Sequence, residues 1–500
     1  MSEENNKKTQ SEAQGDIQSK ISSSSELEEK MKVTLDKSNF NEWYAEIVEL
    51  SNLTDKRYPI KGMNVWTPYG WNVMRLIDEL MRAEMISTGH EEVCFPLLIS
   101  DEQFAKEADH IKGFDSEVYW VTTAGGEKLD VKLLLRPTSE TAMYPIFSLW
   151  IRSHSDLPLK TFQIVNTFRY DTKQTRAFIR VREIHFFEAH TCHADFEDAE
   201  NQIREDLAIM ERLGKKLCLP YLMLKRPDWD KFPGAFYSLA ADALMPDGKT
   251  LQIGTIHQYK ENFSKPYEIK YEASDGQHKY VHQTTYGMSE RLIGAIIGVH
   301  GDNKGVILPP AVAPYQVVLV PIFAKKSKPE ILNECNKLKE ELINAGLRVH
   351  FDARDIRPGS KYYDWELRGV PLRLELGPRD LERSEVTVVR RDSGKREVIS
   401  RKKVIKSVKD ILTKIEESLL TIAETKMKEA IITVDALEEA KDKSGILRMG
   451  WCGEPECDDQ IVKFLDINML GTPIQDEGYK GNCAQCGKPT TTVAYYSRTY

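Results

Sequence analysis

The sequence predicts an α+β protein in three parts: an antiparallel sheet flanked by helices, a smaller α/β domain, and a short metal-binding tail. Three observations predict it. Between residues 93 and 187 short apolar runs bounded by turn residues follow one another, the pattern of paired strands. From Tyr315 to Lys406 apolar runs (VVLVPIF, LRVHFDA, EVTVVRR) alternate with an amphipathic helical stretch, the rhythm of a largely parallel or mixed sheet. Four of the eight cysteines crowd into the last fifty residues, too uneven for a disulfide framework and suggestive of a metal.

Bulk properties set the frame. A chain of 500 residues, 41% hydrophobic and 29% charged, has room for about three domains with real cores. No apolar stretch is long enough to cross a bilayer and no apolar run opens the chain as a secretory signal would, so a cytoplasmic protein is expected. The net charge of -8 excludes a surface coated in positive potential, and nucleic acid would have to meet a local basic patch. One runs from Leu381 to Asp410, with ten Lys or Arg against five Asp or Glu. Charge runs of this kind are usually solvated faces.

Taken in order, residues 1–30 are rich in Ser, Glu, Gln and Lys and are predicted to be disordered. An amphipathic helix begins near Asn41, and a longer one is predicted over Trp71 to Ile86. Strands are predicted over Val93–Ile99, Lys132–Leu135, Thr161–Thr167 and Ile179–Phe187, a helix over Lys328–Ala345, and another over Val408–Ala440. The domain limits that follow are 1–30, 31–312, 313–407 and 408–500.

Three clusters carry candidate chemistry. In LLLRPTSETAMYP (133–145), Thr138 and Glu140 alternate on an extended segment and so point the same way, a hydroxyl beside a carboxylate fit to hold an amine; a helix N-cap near Ala142 is the plainer alternative. In NTFRYDTKQTRAFIRVREIHFFEAH (166–190), arginines at 169, 176, 180 and 182 suit phosphate oxygens, since a planar fork donates two parallel hydrogen bonds. In TTYGMSERLIG (284–294), Arg291 opens an apolar helix-like run, and Gln252, Thr255 and His257 lie on a strand just upstream. In the tail, Cys452 and Cys457 are separated by four residues and Cys483 and Cys486 by two. Paired thiols at these spacings suit a structural tetrahedral zinc. Cys94, Cys192, Cys218 and Cys335 are isolated and are expected in the core.

GHEEVCFPLL, NTFRYD with RVREIHF, and YGMSERLIG occur in the order of the three class II aminoacyl-tRNA synthetase motifs. With RPTSE, HGDNKGVILPP and WELRGVPLRLELGPRD, they make the chain from about residue 40 onward resemble the archaeal and eukaryotic-cytosolic prolyl-tRNA synthetases. The resemblance implies a class II antiparallel-sheet catalytic domain, an α/β anticodon-binding domain and a small C-terminal zinc domain whose last tyrosine, Tyr500, approaches the active site. It implies ATP as substrate, with Mg2+, a structural Zn2+, L-proline and tRNA(Pro) as partners, and a homodimer with Pro96 at its interface. By the same resemblance Arg169 is central, bridging the amino-acid carboxylate and the α-phosphate, and Arg169 and Arg291 are the catalytic pair. Thr138 and Glu140 hold the amine, and Phe114, Glu117, Phe186, His190 and Thr285 shape the pocket. Asp171, Arg180, Gln252, Thr255, His257 and Arg291 contact ATP, while Arg354, Lys361, Glu366, Arg373 and Asp380 face anticodon bases.

Two single positions depart from the family pattern, and the third motif keeps only Gly287 and Arg291 of its usual glycine-rich pattern. Asp171 stands where a glutamate is usual, and Phe186 stands where tryptophan is frequent, keeping an aromatic wall without an indole N–H. The interval from His190 to Thr284 is too short for the inserted editing domain of bacterial-type enzymes. Three other readings compete: a sister synthetase, a non-catalytic RNA-binding paralogue, and an enzyme that also activates cysteine, which is small enough for a proline pocket.

Overall fold

In a computed structural model, the structure describes residues 36–106, 117–171, 173–323 and 328–500. The predicted disordered extension over 1–30 and the pocket residue Phe114 lie outside the described residues.

The framework is an eleven-stranded sheet among the described residues. Its centre runs Leu222–Lys225, Tyr237–Leu244, Thr250–Lys260, His282–Ser289, Glu183–His193 and Leu159–Phe168, every neighbour antiparallel, with Glu91–Glu92 adding in parallel at the far edge. Helices Phe40–Leu50, Pro68–Ser87, Phe196–Lys216 and Arg291–His300 cover one face. Each turns an apolar stripe inward: Ile77, Met81 and Met85 meet Phe162 and Phe187 of the sheet, and Ile293 and Ile296 join the same core. The opposite face carries the functional cavity and, beside it, helix Glu140–Trp150, whose Met143, Tyr144 and Phe147 pack with Cys192 and Tyr259.

A strand predicted over Val93–Ile99 is instead split into Glu91–Glu92 and Leu98–Ser100. Pro96 has no N–H for a ladder, and the Phe95 N–H turns to Gln163 Oε1 at 3.0 Å. The strand predicted to start at Ile179 starts at Glu183; Ile179 and Val181 are apolar because they are buried in a turn. The helix predicted to Ala440 stops at Ala430, since the β-branched run Ile431–Thr433 goes extended and pairs in parallel with Ile446–Arg448. Cys94 is exposed, whereas Cys192, Cys218 and Cys335 are buried as expected. A short residue next to Phe95 on a broken strand has no inward face to occupy.

The α/β domain is a five-stranded mixed sheet, in order Val349–Phe351, Val317–Pro321, Leu372–Leu376, Glu385–Arg390 and Arg396–Ser400. The first three strands are parallel and the last two antiparallel additions. Helix Lys328–Asn344 and the first half of Val404–Ala430 (Val404, Val408, Ile411, Ile415) close its core. The C-terminal strands Ile446–Gly450, Val493–Ser497 and Asn468–Pro473 then continue the large sheet, joining it where Thr472 pairs with Lys225. Gly471 is required at that junction: its φ is +134°, and a Cβ would meet the Lys225 carbonyl.

One buried carboxyl in this core gives a pH signature. Burial pushes Asp206 up to about 8, against the Gln202 amide that donates to it at 2.9 Å. The folded chain thus holds a proton there that the unfolded chain releases near pH 4, so this residue's contribution to stability falls as pH rises from about 4 to about 8. The Tm measured from pH 6 to 8.5 should fall more steeply in the native chain than in Asp206→Asn. Parallel slopes would rule the buried acid out.

Candidate active site

The cavity lies on the face of the sheet over Glu183–His193, Thr250–Lys260 and His282–Ser289, with a volume of about 550 Å³. Gln252, Thr255 and His257 all line it, although in a regular strand a residue at 252 would face away from 255 and 257. A bulge reconciles them: Ala241 pairs with Gly254 and Asp242 with Gln252, leaving Ile253 as the extra residue that resets the phase. Across the sheet Phe186 lies over Gly287, where a Cβ would come within 2.9 Å of its ring. The glycine lets the aromatic wall lie flat.

One end of the cavity accepts cations. Glu140, the first residue of helix Glu140–Trp150, is buried. It takes the Tyr259 hydroxyl at 2.9 Å and a short bond from the Thr138 hydroxyl. Thr138 therefore reaches the carboxylate from the turn before a helix, not from the extended segment predicted. Ser139 occupies the N-cap position, but its hydroxyl accepts from Gln163 Nε2 at 2.9 Å instead of capping. Beside it Glu188 takes Gln163 at 2.9 Å and His190 Nε2 at 3.1 Å. Burial works against charge on both partners, but their mutual hydrogen bond wins and holds Glu188 below, and His190 above, the ordinary values. Two buried acidic side chains, one of them backed by an imidazole, give this end of the cavity an acidic lining.

The other end accepts anions. The Arg169 Nε donates to the Pro137 carbonyl at 3.1 Å, and Arg291 is set by bonds to the Ile179 and Gln252 carbonyls at 2.9 and 3.3 Å. Burial, then repulsion from Arg169 and Arg180, brings Arg291 down to about 10, still a full cation at neutral pH. Arg180 pairs with Asp171 at 2.6 Å. Burial disfavours charge on Asp171, but the Lys173 N–H and Arg180 outweigh it and hold the carboxyl low. With Arg226, four guanidiniums line one cavity, and those of Arg180 and Arg226 are partly balanced by Asp171 and Asp242. His257 is neutral, brought down to about 3 by burial and by His190, and shares a 2.7 Å hydrogen bond with Ser238.

Of the residues singled out in the sequence, Glu117, Thr138, Glu140, Arg169, Asp171, Arg180, Phe186, Gln252, Thr255, His257, Thr285 and Arg291 line this cavity. His190 does not. It is fully buried behind the wall, 3.3 Å from the Thr285 hydroxyl and 3.2 Å from that of Tyr144. Arg176 and Arg182 brace the loop: Arg176 donates to Asn41 at 2.8 Å and Arg182 to the Asp171 carbonyl at 3.0 Å. Sequence reasoning missed Glu188, Arg226 and Glu290, all of which line the cavity. Glu188 had a usable signal, a carboxylate among aromatics two residues before His190.

Comparison with known proteins agrees along the chain. The model of the tRNA synthetase class II core domain (G, H, P, S and T) matches residues 119–300, that of an anticodon binding domain 316–411, and that of the prolyl-tRNA synthetase C-terminal region 434–500. Proline--tRNA ligase of Thermococcus kodakarensis is 55% identical over 471 residues, 92% of this chain and 98% of its own length. The chain belongs to the prolyl-tRNA synthetases. Proline--tRNA ligase of Methanosarcina mazei is 48% identical over 468 residues, covering 93% and 98% of the two chains. Among solved structures, Giardia lamblia prolyl-tRNA synthetase in complex with prolyl-adenylate superposes with a TM-score of 0.89 at 35% identity, over 93% of this chain and 99% of that one.

Two features of this prolyl-tRNA synthetase chain lie away from the cavity. Cys452, Cys457, Cys483 and Cys486 come together with all four sulfurs within 4.8 Å of one another. Sγ–Sγ distances of 3.6 and 3.8 Å match the edge of a tetrahedron built on a bond of roughly 2.3 Å to zinc. In the α/β domain Lys361 is fully buried, its Nζ on the Asp352 carbonyl at 2.9 Å, and Asp380 caps helix Pro378–Arg383 through the Gly377 N–H at 2.9 Å. These two side chains serve the fold. Arg354 pairs with Asp352 and Asp364, and Arg373 with Glu366 and Glu375.

Proposed function

We propose that the chain activates L-proline with ATP to form prolyl-adenylate and transfers the prolyl group to the 3′ end of tRNA(Pro). The observation that carries this reading is a single cavity with a cation-accepting end and an anion-accepting end, the polarity of an aminoacyl-adenylate. A carboxylate accepts about four hydrogen bonds. Glu140, having taken Thr138 and Tyr259, keeps lone pairs for the proline ammonium. Phe186 and Thr285 bound the ring, and Arg169 bridges the carboxylate and the α-phosphate. Arg180, Gln252, Thr255, His257 and Arg291 hold the nucleotide, His257 as a neutral hydrogen-bonding group. His190 acts on the pocket through Glu188 and Thr285.

A proline carboxylate oxygen then attacks the α-phosphorus, and the bond to the pyrophosphate oxygen breaks as the new one forms. Arg169 and Arg291 oppose the charge that gathers on the phosphate oxygens. In the second step the tRNA 3′-terminal hydroxyl attacks the carbonyl carbon and AMP leaves. The mixed anhydride is already activated, so positioning suffices and no protein base is assigned. Glu290 lines the phosphate end beside Arg291, but burial pushes its carboxyl up to about 8 and it already accepts from the His185 N–H. It would hold magnesium only once the ion's own charge draws off its proton; magnesium held there would add positive charge opposite the leaving pyrophosphate. Zinc at the four thiols would have a structural role.

The protein is proposed to work in the cytoplasm as a homodimer; among the described residues no helix is long and apolar enough to cross a membrane. Pro96, Leu97 and Leu98 stand exposed in one run, as a dimer contact requires. The test is amino-acid-dependent ATP/pyrophosphate exchange with proline, cysteine, threonine, serine, glycine and alanine. Proline should dominate, with the cysteine arm reading the tolerance of the pocket. Exchange with none of the six, or a stronger signal from threonine or serine, would sink the reading.

A further inference from the structure

The strand that joins the C-terminal sheet to the catalytic sheet, Leu222–Lys225, ends one residue before Arg226. Arg226 is a buried cation that hydrogen-bonds partners on three strands and has Asp230 at 3.9 Å as a looser ion pair. It makes a short bond to the Leu470 carbonyl of the C-terminal sheet. Its Nη2 donates to Asp242 Oδ1 at 3.0 Å and to Gln252 Oε1 at 3.2 Å. The last bond occupies the amide oxygen of Gln252 and so turns its NH2 donors toward the cavity. The Gln252 carbonyl in turn receives Arg291 Nη1 at 3.3 Å. A second cavity of about 400 Å³ shares Arg226, Gln252 and Arg291 with the first and runs to Tyr500. Three residues on, Trp229 meets Trp451 edge to face at 6.1 Å, next to the metal-type ligand Cys452.

We propose that Arg226 is a positioning residue that couples the C-terminal sheet to the nucleotide site by orienting the side chain of Gln252. This rests on the reading of Gln252 as an ATP contact. Only a planar fork serves all three partners at once. Lysine would keep the ion pair with Asp242 and lose the simultaneous bonds to Leu470 and Gln252.

The experiment is a kinetic cycle on the full-length protein with Arg226→Lys, Gln252→Ala and the double variant, each checked for native Tm. Arg226→Lys should raise KM for ATP about tenfold and leave KM for proline within about twofold, a split that general loosening would not produce. The double variant should be no worse than Gln252→Ala alone, because one residue acts through the other. Effects that multiply, or an unchanged KM for ATP in Arg226→Lys, overturn the coupling. If Gln252→Ala itself leaves KM for ATP unchanged, the nucleotide reading of Gln252 fails and the coupling falls with it. Arg226→Met, which keeps the stem and removes every donor, should reproduce the ATP defect; should Arg226→Lys fail to fold, an Arg226→Met chain with native ATP kinetics overturns the proposal equally.

Discussion

Arg169→Ala should lower the rate of proline-dependent ATP/pyrophosphate exchange by about a hundred- to a thousandfold, the loss typical of removing one preorganised donor from a site of developing charge. The side chain is already committed to its geometry before substrate arrives. Its Nε is tied to the Pro137 carbonyl, one residue before Thr138, so the strand end carrying Arg169 and the turn carrying the amine-binding pair move as one. Burial depresses its charge, and Glu117, Glu140 and Glu188 across the cavity offset only part of that, so the guanidinium stays below its ordinary value. Glu140, proposed to receive the ammonium, thus also supports the guanidinium proposed to meet the phosphate. Arg169→Lys should recover little, because an ammonium cannot bridge two planar oxyanions in parallel. The fall should appear in kcat and kcat/KM together, as for a contact made mainly in the transition state. A loss below about tenfold with an unchanged Tm would remove Arg169 from the centre of the mechanism.

How far the site was legible in the sequence depends on the distance over which its geometry is set. Thr138 and Glu140 do point the same way, but from a helix start and not from an extended segment, because two residues separated by one can converge from either. Arginines 169 and 180 were separable from 176 and 182 only in three dimensions, since a turn held by paired Arg176 and Arg180 backbones sends alternate guanidiniums into and away from the cavity. The co-facing of Gln252 with Thr255 depends on an unpaired Ile253, and a bulge is decided by the neighbouring strand, not by the strand that carries it. His190 does not stand in the wall as the resemblance implies but lies behind it, hydrogen-bonded to Glu188 at 3.1 Å. Lys361, read as a surface contact for RNA, is buried with its charge on a carbonyl, which composition around it does not announce. The architecture was plainer: the antiparallel centre, the mixed α/β sheet and the cysteine pairs all follow from local period and spacing. That the C-terminal strands extend the catalytic sheet was hidden, because the pairing of Thr472 with Lys225 spans about half of the chain.

That continuity determines what loss of zinc should do. Cys483 is buried and Cys486 exposed, at the two ends of one tight turn in which the Cys483 N–H meets the Lys488 carbonyl at 2.8 Å. Nothing else among the described residues gathers four soft ligands. Metal analysis should give one zinc per chain, and Cys483→Ser should lower the Tm by about 5 °C or more, since a hydroxyl does not replace a thiolate and structural zinc contributes directly to folding. The damage should not stop at the tail. Trp451, beside Cys452, braces Trp229 at 6.1 Å, and Trp229 lines the cavity. Partial zinc removal, at a temperature where the chain stays folded, should therefore raise KM for ATP before far-ultraviolet circular dichroism changes. A chain without zinc that keeps its Tm and its ATP kinetics would show that the four thiols pack as ordinary side chains. A fall in Tm with unchanged kinetics would confine the metal to its own domain and leave the nucleotide site independent of it.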